Sequence, residues 1–522
     1  MADLHINTVP VGATAELLSE VGMLLDGNSK LQSYLGPRAR RLSIEFLEDE
    51  AKPSLPLPSS GFRATYYDYS NARPVQVVGG LEGTDLDIAS PDFQPKPNND
   101  EFAEAVAVIS KDEKVGPSVQ NGGVLPYRAM PGVVDFASSA ERTLAVGLLP
   151  KVGLKGHEIV GVNLVEQSVV HYDDNAPPSA AAHNPVCGLN GVWQATTDKG
   201  TPGQAEVTVT RDGAVLWRFV VVRPSASSGI EGSAVELRSV DYRSKRVLDR
   251  AHAPILNVKY DGDACGPYRD WQWEEGAFAA VGSDVANGIR FCTQPAQTIL
   301  DSGKDRGDFR GVAIYADGPE VVLKSELEAG WYRYISEWRL HEDGTIRPRF
   351  GFSAVKNSCV CTTHHHHIYW RFDFDIHAAS PNRVLEYNFA GLPEPSGWVP
   401  QLEEAKRLRD EASGRKWRVE NPLTAAGYTI VPGHEDGTAD AYGQGDVWIL
   451  RFNPNELDDG QWWTSPLRTQ ANLDKYVNGE TVEGADVVFW YATHFSHEPG
   501  GDEDHGHRAG PDLIPHNWTA IV

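Results

Sequence analysis

From about residue 188 onward the chain is built of short strand-like runs separated by Gly, Asp and Asn: 214–222, 235–242, 334–340, 368–376, 447–452 and 486–491. Such runs are rich in β-branched and aromatic residues, which fit a pleated, half-buried surface. Many of them joined by short turns over the rest of the chain predict a large antiparallel β-sandwich. Ahead of it the pattern differs. Residues 1–37 carry helical apolar spacing (Leu17, Leu18, Val21, Leu24, Leu25). Residues 38–95 alternate like strands, and Pro53, Pro56 and Pro58, then Pro91, Pro95 and Pro97, punctuate them. Residues 96–180 combine a helical stretch near 101–110 with a strand-like run after Glu158, and the proline- and alanine-rich 176–183 leads into the sandwich at 188–522. The expected fold is therefore mainly β, with a large sandwich preceded by two small α+β domains.

The run His364-His365-His366-His367 opens one of the predicted strands. Side chains alternate faces with period two, so His364 and His366 share one face and His365 and His367 the other. Either pair aims two imidazoles at one point, and imidazole suits copper, zinc, iron or nickel. The alternative is a polar surface patch. Cys359-Val-Cys361 lies just before the run; with His365 and His367 it would make a thiolate–imidazole zinc site, while a disulfide or two buried thiols are the competing readings. His505 and His507, in a Gly- and acid-rich tail, read as solvated.

The net charge of −25 argues against a nucleic-acid partner, whose phosphates need basic surface. No apolar stretch is long enough to span a bilayer, and the N-terminus lacks a basic region followed by an apolar core. Together with the odd count of five cysteines these features predict a cytoplasmic protein that is not membrane-bound, with a mature secreted form that has lost its leader as the alternative.

Three motifs resemble the copper amine oxidases. Gly330-Trp-Tyr-Arg-Tyr-Ile-Ser-Glu-Trp-Arg-Leu-His-Glu-Asp-Gly-Thr-Ile looks like the strand on which that family converts a tyrosine to topaquinone. Arg371-Phe-Asp-Phe-Asp after the histidines is similar to the family's Arg-Leu-Asp-Met/Leu-Asp, and Glu483-Gly-Ala-Asp-Val-Val-Phe-Trp-Tyr-Ala-Thr-His-Phe-Ser-His-Glu-Pro to the strand bearing its third copper histidine. The resemblance implies copper on His364, His366 and His497, with the one-residue slip to His365 and His367 left open and His494 the competitor of His497. It implies a calcium-type site at Asp373, the Phe374 carbonyl, Asp375, Asp486 and the Val487 carbonyl, against the plainer reading of aspartates held in turns. It further implies a homodimer and oxidative deamination of an amine by dioxygen to aldehyde, ammonia and hydrogen peroxide, through a quinone made from Tyr332.

The organic half departs from the family. Where the family has Asn-Tyr-Asp/Glu, this chain reads Trp331-Tyr332-Arg333. The family's Tyr-x-Asp-x-Gly-Glu/Asp is matched by Gln272-Trp-Glu-Glu-Gly-Ala, which puts Glu274 at the general base and Gln272 at the gating tyrosine. Two alternatives therefore stand beside the amine oxidase expectation. One is a copper oxidase or oxygenase that acts on another small molecule without a quinone; the other is a metal-binding relative that does not turn over.

Overall fold

The computed structural model describes residues 4–47, 52, 60–82, 85–134, 141–151, 158–171, 187–191, 196–263, 265, 268–388, 396–461, 469–498 and 508–518. The proline run 53–58, the linker 176–183 and the tail pair His505 and His507 lie outside the described residues.

Two large sheets form the sandwich. Along the first, neighbouring strands are His5–Pro10, Gln204–Arg211, Ala214–Val222, Glu236–Tyr242, Lys245–Tyr260, His364–Phe374, Val487–His497, Val447–Arg451 and Ala405–Arg407, with Tyr268–Arg269 pairing off the side of Lys245–Tyr260. The second sheet centres on Glu320–Ala329, Tyr332–His341 and Ile346–Ala354 and continues through Asp512–His516 to Gly427–Val431. Their inner faces meet in one core, where Trp370 packs on Phe350 and Phe372 on Trp338. Each such fully buried apolar side chain contributes roughly 1.5–3 kcal/mol. Period two decides which residues enter: on His364–Phe374 the inward set is Ile368, Trp370, Phe372 and Phe374, while Tyr369 packs with Trp448 and Trp490 in a separate cluster on the outer face.

The N-terminal stretch expected to be helical is helical only from Ala15, where Thr14 Oγ1 accepts the Leu17 N–H. Before it, the alternating His5–Pro10 pairs with Gln204–Arg211 at the edge of the large sheet, so the sandwich recruits the chain's first strand. The helix Ala15–Gly27 lays Val21 and Leu25 on a four-stranded sheet formed by Ala39–Leu47, Gly61–Asp68, Arg73–Gly80 and Leu86–Ala89. A second four-stranded sheet, Val124–Val133, Thr143–Pro150, Glu158–Asn163 and Ser168–Val170, carries the helix Asn99–Ile109, which Asn98 caps. Among the described residues no helix is long and apolar enough to cross a membrane.

Candidate metal centre

Tyr332 is positioned by a tight hairpin. The strand Glu320–Ala329 reverses through Gly330 and Trp331 into Tyr332–His341, with Ala329 paired to Tyr332. Gly330 has φ +58°, a conformation that glycine takes without strain, and an added Cβ would lie 3.3 Å from Met130 Cγ. Alternation then sends Tyr332, Tyr334 and Trp338 inward, toward the histidine strand.

His364 and His366 face them. The two imidazole rings lie 4.9 Å apart, centroid to centroid, and the Tyr332 ring lies 5.4 Å from His364 and 4.9 Å from His366. His497 is the register partner of His364 across the adjacent strand, with the rings 4.7 Å apart. The structure thus brings together His364, His366, His497 and Tyr332. The other register meets different company. His367 points to the opposite face, its Nδ1 lying 2.8 Å from His494 Nδ1. Gly443 crosses that pair so closely that a Cβ there would stand 2.2 Å from the His367 ring. His365 is partly exposed beside Asp261.

The hydrogen-bond network assigns the tautomers. His364 Nδ1 lies 2.7 Å from the Thr362 carbonyl, which only an N–H can satisfy, so Nε2 carries the lone pair. That Nε2 is buried and has no hydrogen-bond partner among the described residues. Burial pulls the ring's pKa down to about 3, so it stays neutral. A neutral, oriented imidazole with a desolvated lone pair is what a transition metal takes as ligand. His366 is oriented in the same manner: its Nδ1 lies 3.2 Å from the Tyr334 hydroxyl, which donates to Asp270 Oδ2 at 2.5 Å. Three imidazoles on two adjacent strands fit copper in donor type.

Glu274 is buried, but its Oε1 pairs with Arg128, which also donates to Asn99 Oδ1; burial raises its pKa and Arg128 opposes the rise. Gln272 is buried as well, its backbone N–H bonded to the Glu231 carbonyl. The carboxylate among the tyrosines is Asp270, which burial pushes up to about 7 against the pull of the Tyr334 hydrogen bond. Burial first, and the charge of Asp270 with it, raises the pKa of Tyr260, Tyr268, Tyr332 and Tyr334. The signal was present: Tyr268-Arg-Asp270 is itself a Tyr-x-Asp, four residues ahead of Glu274. Tyr260 was also missed. Its hydroxyl donates to the Tyr332 hydroxyl at 2.7 Å and accepts from Trp331 Nε1 at 3.0 Å.

Both departures flanking Tyr332 therefore have a place. Trp331 fixes Tyr260, which fixes Tyr332, while Arg333 is buried in a two-pronged pair with Asp305 at 2.8 and 3.1 Å and lies 3.6 Å from Glu328. The corner before the histidines is cross-linked twice, by Cys187–Cys361 and Cys265–Cys359, leaving neither sulfur as a thiolate for zinc; Cys292 is free and buried.

At the other end of the histidine strand stands an acidic group. The carboxylate oxygens of Asp373, Asp375 and Asp486 lie within 4.8 Å of one another. The Lys52 ammonium sits among them, at 2.6, 2.8 and 2.8 Å. Burial works against that charge, but the three carboxylates hold the lysine pKa above its ordinary value. Burial in turn lifts Asp375 to about 7 and Asp486 to about 6. The Phe374 carbonyl accepts from Asn382 Nδ2 at 3.3 Å, and Phe374 is the register partner of Val487. A cavity of about 550 Å³ opens beside this group, lined by Lys52, Arg63, Lys96, Lys199, Asp249 and Asp373 among others; it does not include Tyr332 or the histidines.

The family model "Copper amine oxidase, enzyme domain" matches residues 309–505. No curated protein sequence matches the chain. Among solved structures, a copper-containing benzylamine oxidase from Hansenula polymorpha is similar at TM-score 0.64 with 13% identity, covering 98% of each chain. Pichia pastoris lysyl oxidase aligns at 0.60 with 12% identity over 98% of this chain and 90% of its own, and an Aspergillus nidulans amine oxidase at 0.58 with 14% over 97% and 88%. At such identities the likeness concerns the fold.

Proposed function

Since this chain is a member of the copper amine oxidase family and carries that family's enzyme domain over residues 309–505, we propose that it is a copper-dependent oxidoreductase acting on a primary amine, with His364, His366 and His497 holding the metal and Tyr332 furnishing the organic cofactor. The observation that carries this reading is the placement of Tyr332: buried, hydrogen-bonded through its hydroxyl, and within 5.4 Å of the His364 ring and 4.9 Å of the His366 ring. A topaquinone beside copper supplies two-electron chemistry that turns a primary amine, dioxygen and water into an aldehyde, ammonia and hydrogen peroxide.

Around that chemistry the chain's residues bind, orient and move protons. Thr362 and Tyr334 set the two imidazoles of the histidine strand, so each presents Nε2 inward. Asp270 is the proton acceptor, in place of Glu274. A carboxyl held near neutrality accepts and returns a proton at similar cost, which suits a general base. The enclosing rings of Tyr260, Tyr268 and Trp331 exclude water and strengthen each electrostatic contact within. The two disulfides support an oxidising compartment rather than the cytoplasm, and the family resemblance supports a homodimer.

One observation favours a second reading. Tyr260, itself held by Trp331, donates to the Tyr332 hydroxyl, so the ring is pinned as an ordinary tyrosine would be. The protein would then be a copper oxidase without a quinone. Peptide mass spectrometry across Tyr332, after copper loading in air, separates the two. Conversion to topaquinone adds two oxygens and removes two hydrogens, and is the expected result. An unmodified Tyr332 in copper-loaded protein that still consumes dioxygen with a substrate would leave only the second reading.

A further inference from the structure

Asp373, Asp375 and Asp486 have the oxygen-rich chemistry of a hard-cation site, yet the position among them is taken by a side chain of the protein. Lys52 belongs to the connection between the strands Ala39–Leu47 and Gly61–Asp68 of the first small sheet, more than three hundred residues away in sequence. Its ammonium has three N–H donors, and each meets one carboxylate, at 2.6, 2.8 and 2.8 Å. The same nitrogen lies 4.2 Å from the centre of the Phe452 ring, whose face attracts a cation. The second oxygen of Asp373 is engaged by Arg371 at 3.3 Å, and Asp249 lies 3.9 Å from Arg246. A calcium ion needs six to eight oxygens at about 2.3–2.6 Å. Here the carboxylates already converge on a nitrogen, and a divalent ion beside that ammonium would meet its charge at contact distance in a site largely removed from water.

We infer that Lys52 is the resident cation of this pocket: it replaces the divalent metal that the acidic residues would otherwise hold, and it clips the first small sheet to the sandwich by charge. The chain accordingly folds without calcium, and removal of the lysine charge exposes a calcium site. This holds whether or not the protein oxidises amines.

The test uses the full-length, copper-loaded chain. Calcium binding is followed by calorimetric titration, and the unfolding temperature is read in calcium and in EGTA, with copper content measured alongside. The wild type should take up no calcium at this site and unfold at the same temperature in both solutions. Lys52→Ala should unfold several degrees lower in EGTA, bind one calcium ion per chain, and regain most of the loss in calcium, with copper unchanged. If Lys52→Ala does not accumulate, Lys52→Gln, which keeps the stem against Phe452, takes its place with the same expectation. Wild-type calcium binding that disappears in Asp486→Asn would overturn the assignment. So would a charge-removed variant that folds and stays indifferent to calcium.

Discussion

Two clusters of ligand-type side chains sit at opposite ends of the same pair of strands. His364, His366 and His497 occupy the end where the histidine strand begins; Asp373 lies just before its close and Asp375 just after, beside Asp486. From His364 to Asp373 the strand advances nine residues, or about 30 Å. At the first end His364 Nε2 is a buried lone pair with no hydrogen-bond donor among the described residues, beside the rings of Tyr260 and Tyr332. At the second end each carboxylate already accepts a proton donor from Lys52. A buried polar atom left unsatisfied costs on the order of 1–3 kcal/mol, so the first cluster has something to gain from a metal and the second has little. Residue type and spacing mark both ends as metal sites; the hydrogen-bond accounting separates them.

Three groups of substitutions would break or sharpen that contrast. The largest effect is expected at the histidines. His497→Ala or His364→Ala should reduce copper, measured by elemental mass spectrometry, to background. Asp486→Asn at the acidic end and His367→Ala on the outer face should both keep it. Full copper in the His497→Ala protein would remove that residue from the ligand set.

Next come the two buried carboxylates. Asp270→Asn should lower kcat by about 10²–10⁴-fold with copper retained, as expected for loss of a general base. Because the deprotonated form is the active one, the wild-type rate should rise as pH passes upward through about 7 and fall away below it, a limb absent from Asp270→Asn. Glu274→Gln should instead appear as a stability loss of about 3–5 kcal/mol, since it strands buried Arg128. A Glu274→Gln protein that is stable but slow, paired with an unaffected Asp270→Asn, would reverse the two roles.

The smallest effect should come from the cross-linked corner. Cys361→Ser opens a link spanning 174 residues and should cost about 2–5 kcal/mol, read as a fall in unfolding temperature. The same change frees the turn that carries the Thr362 carbonyl, so copper should also dissociate faster. Unchanged copper release would show that the His364 ring is held by its aromatic neighbours alone.

Much of this was legible in the residues. The alternation of 368–376 and the other strand-like runs predict the sandwich, because period two and apolar patterning are local properties; Tyr332 and His497 were reached through their motifs' resemblance to the copper amine oxidases. Which pair of the four histidines faces Tyr332 was not legible: a slip of one residue reverses every face, and only pairing with Val487–His497 and Lys245–Tyr260 selects the register. Asp270 was hidden differently. Two carboxylates in one aromatic stretch fit the same loose motif, and their partners, Tyr334 for one and Arg128 for the other, come from different sheets.

By itself the sequence determined the architecture of the sandwich and the strand that carries the histidines, since both follow from side-chain periodicity and composition within a few residues; Tyr332 was reached through its motif's resemblance to the copper amine oxidases. Only the tertiary structure decided that His364 and His366 face inward, that Asp270 is the carboxylate among the tyrosines, and that Lys52 fills the acidic pocket. The physical reason is that protonation, tautomer and charge balance depend on which groups lie within about 3 Å in a water-excluded interior. Contacts such as Lys52 with Asp486 join residues 434 positions apart.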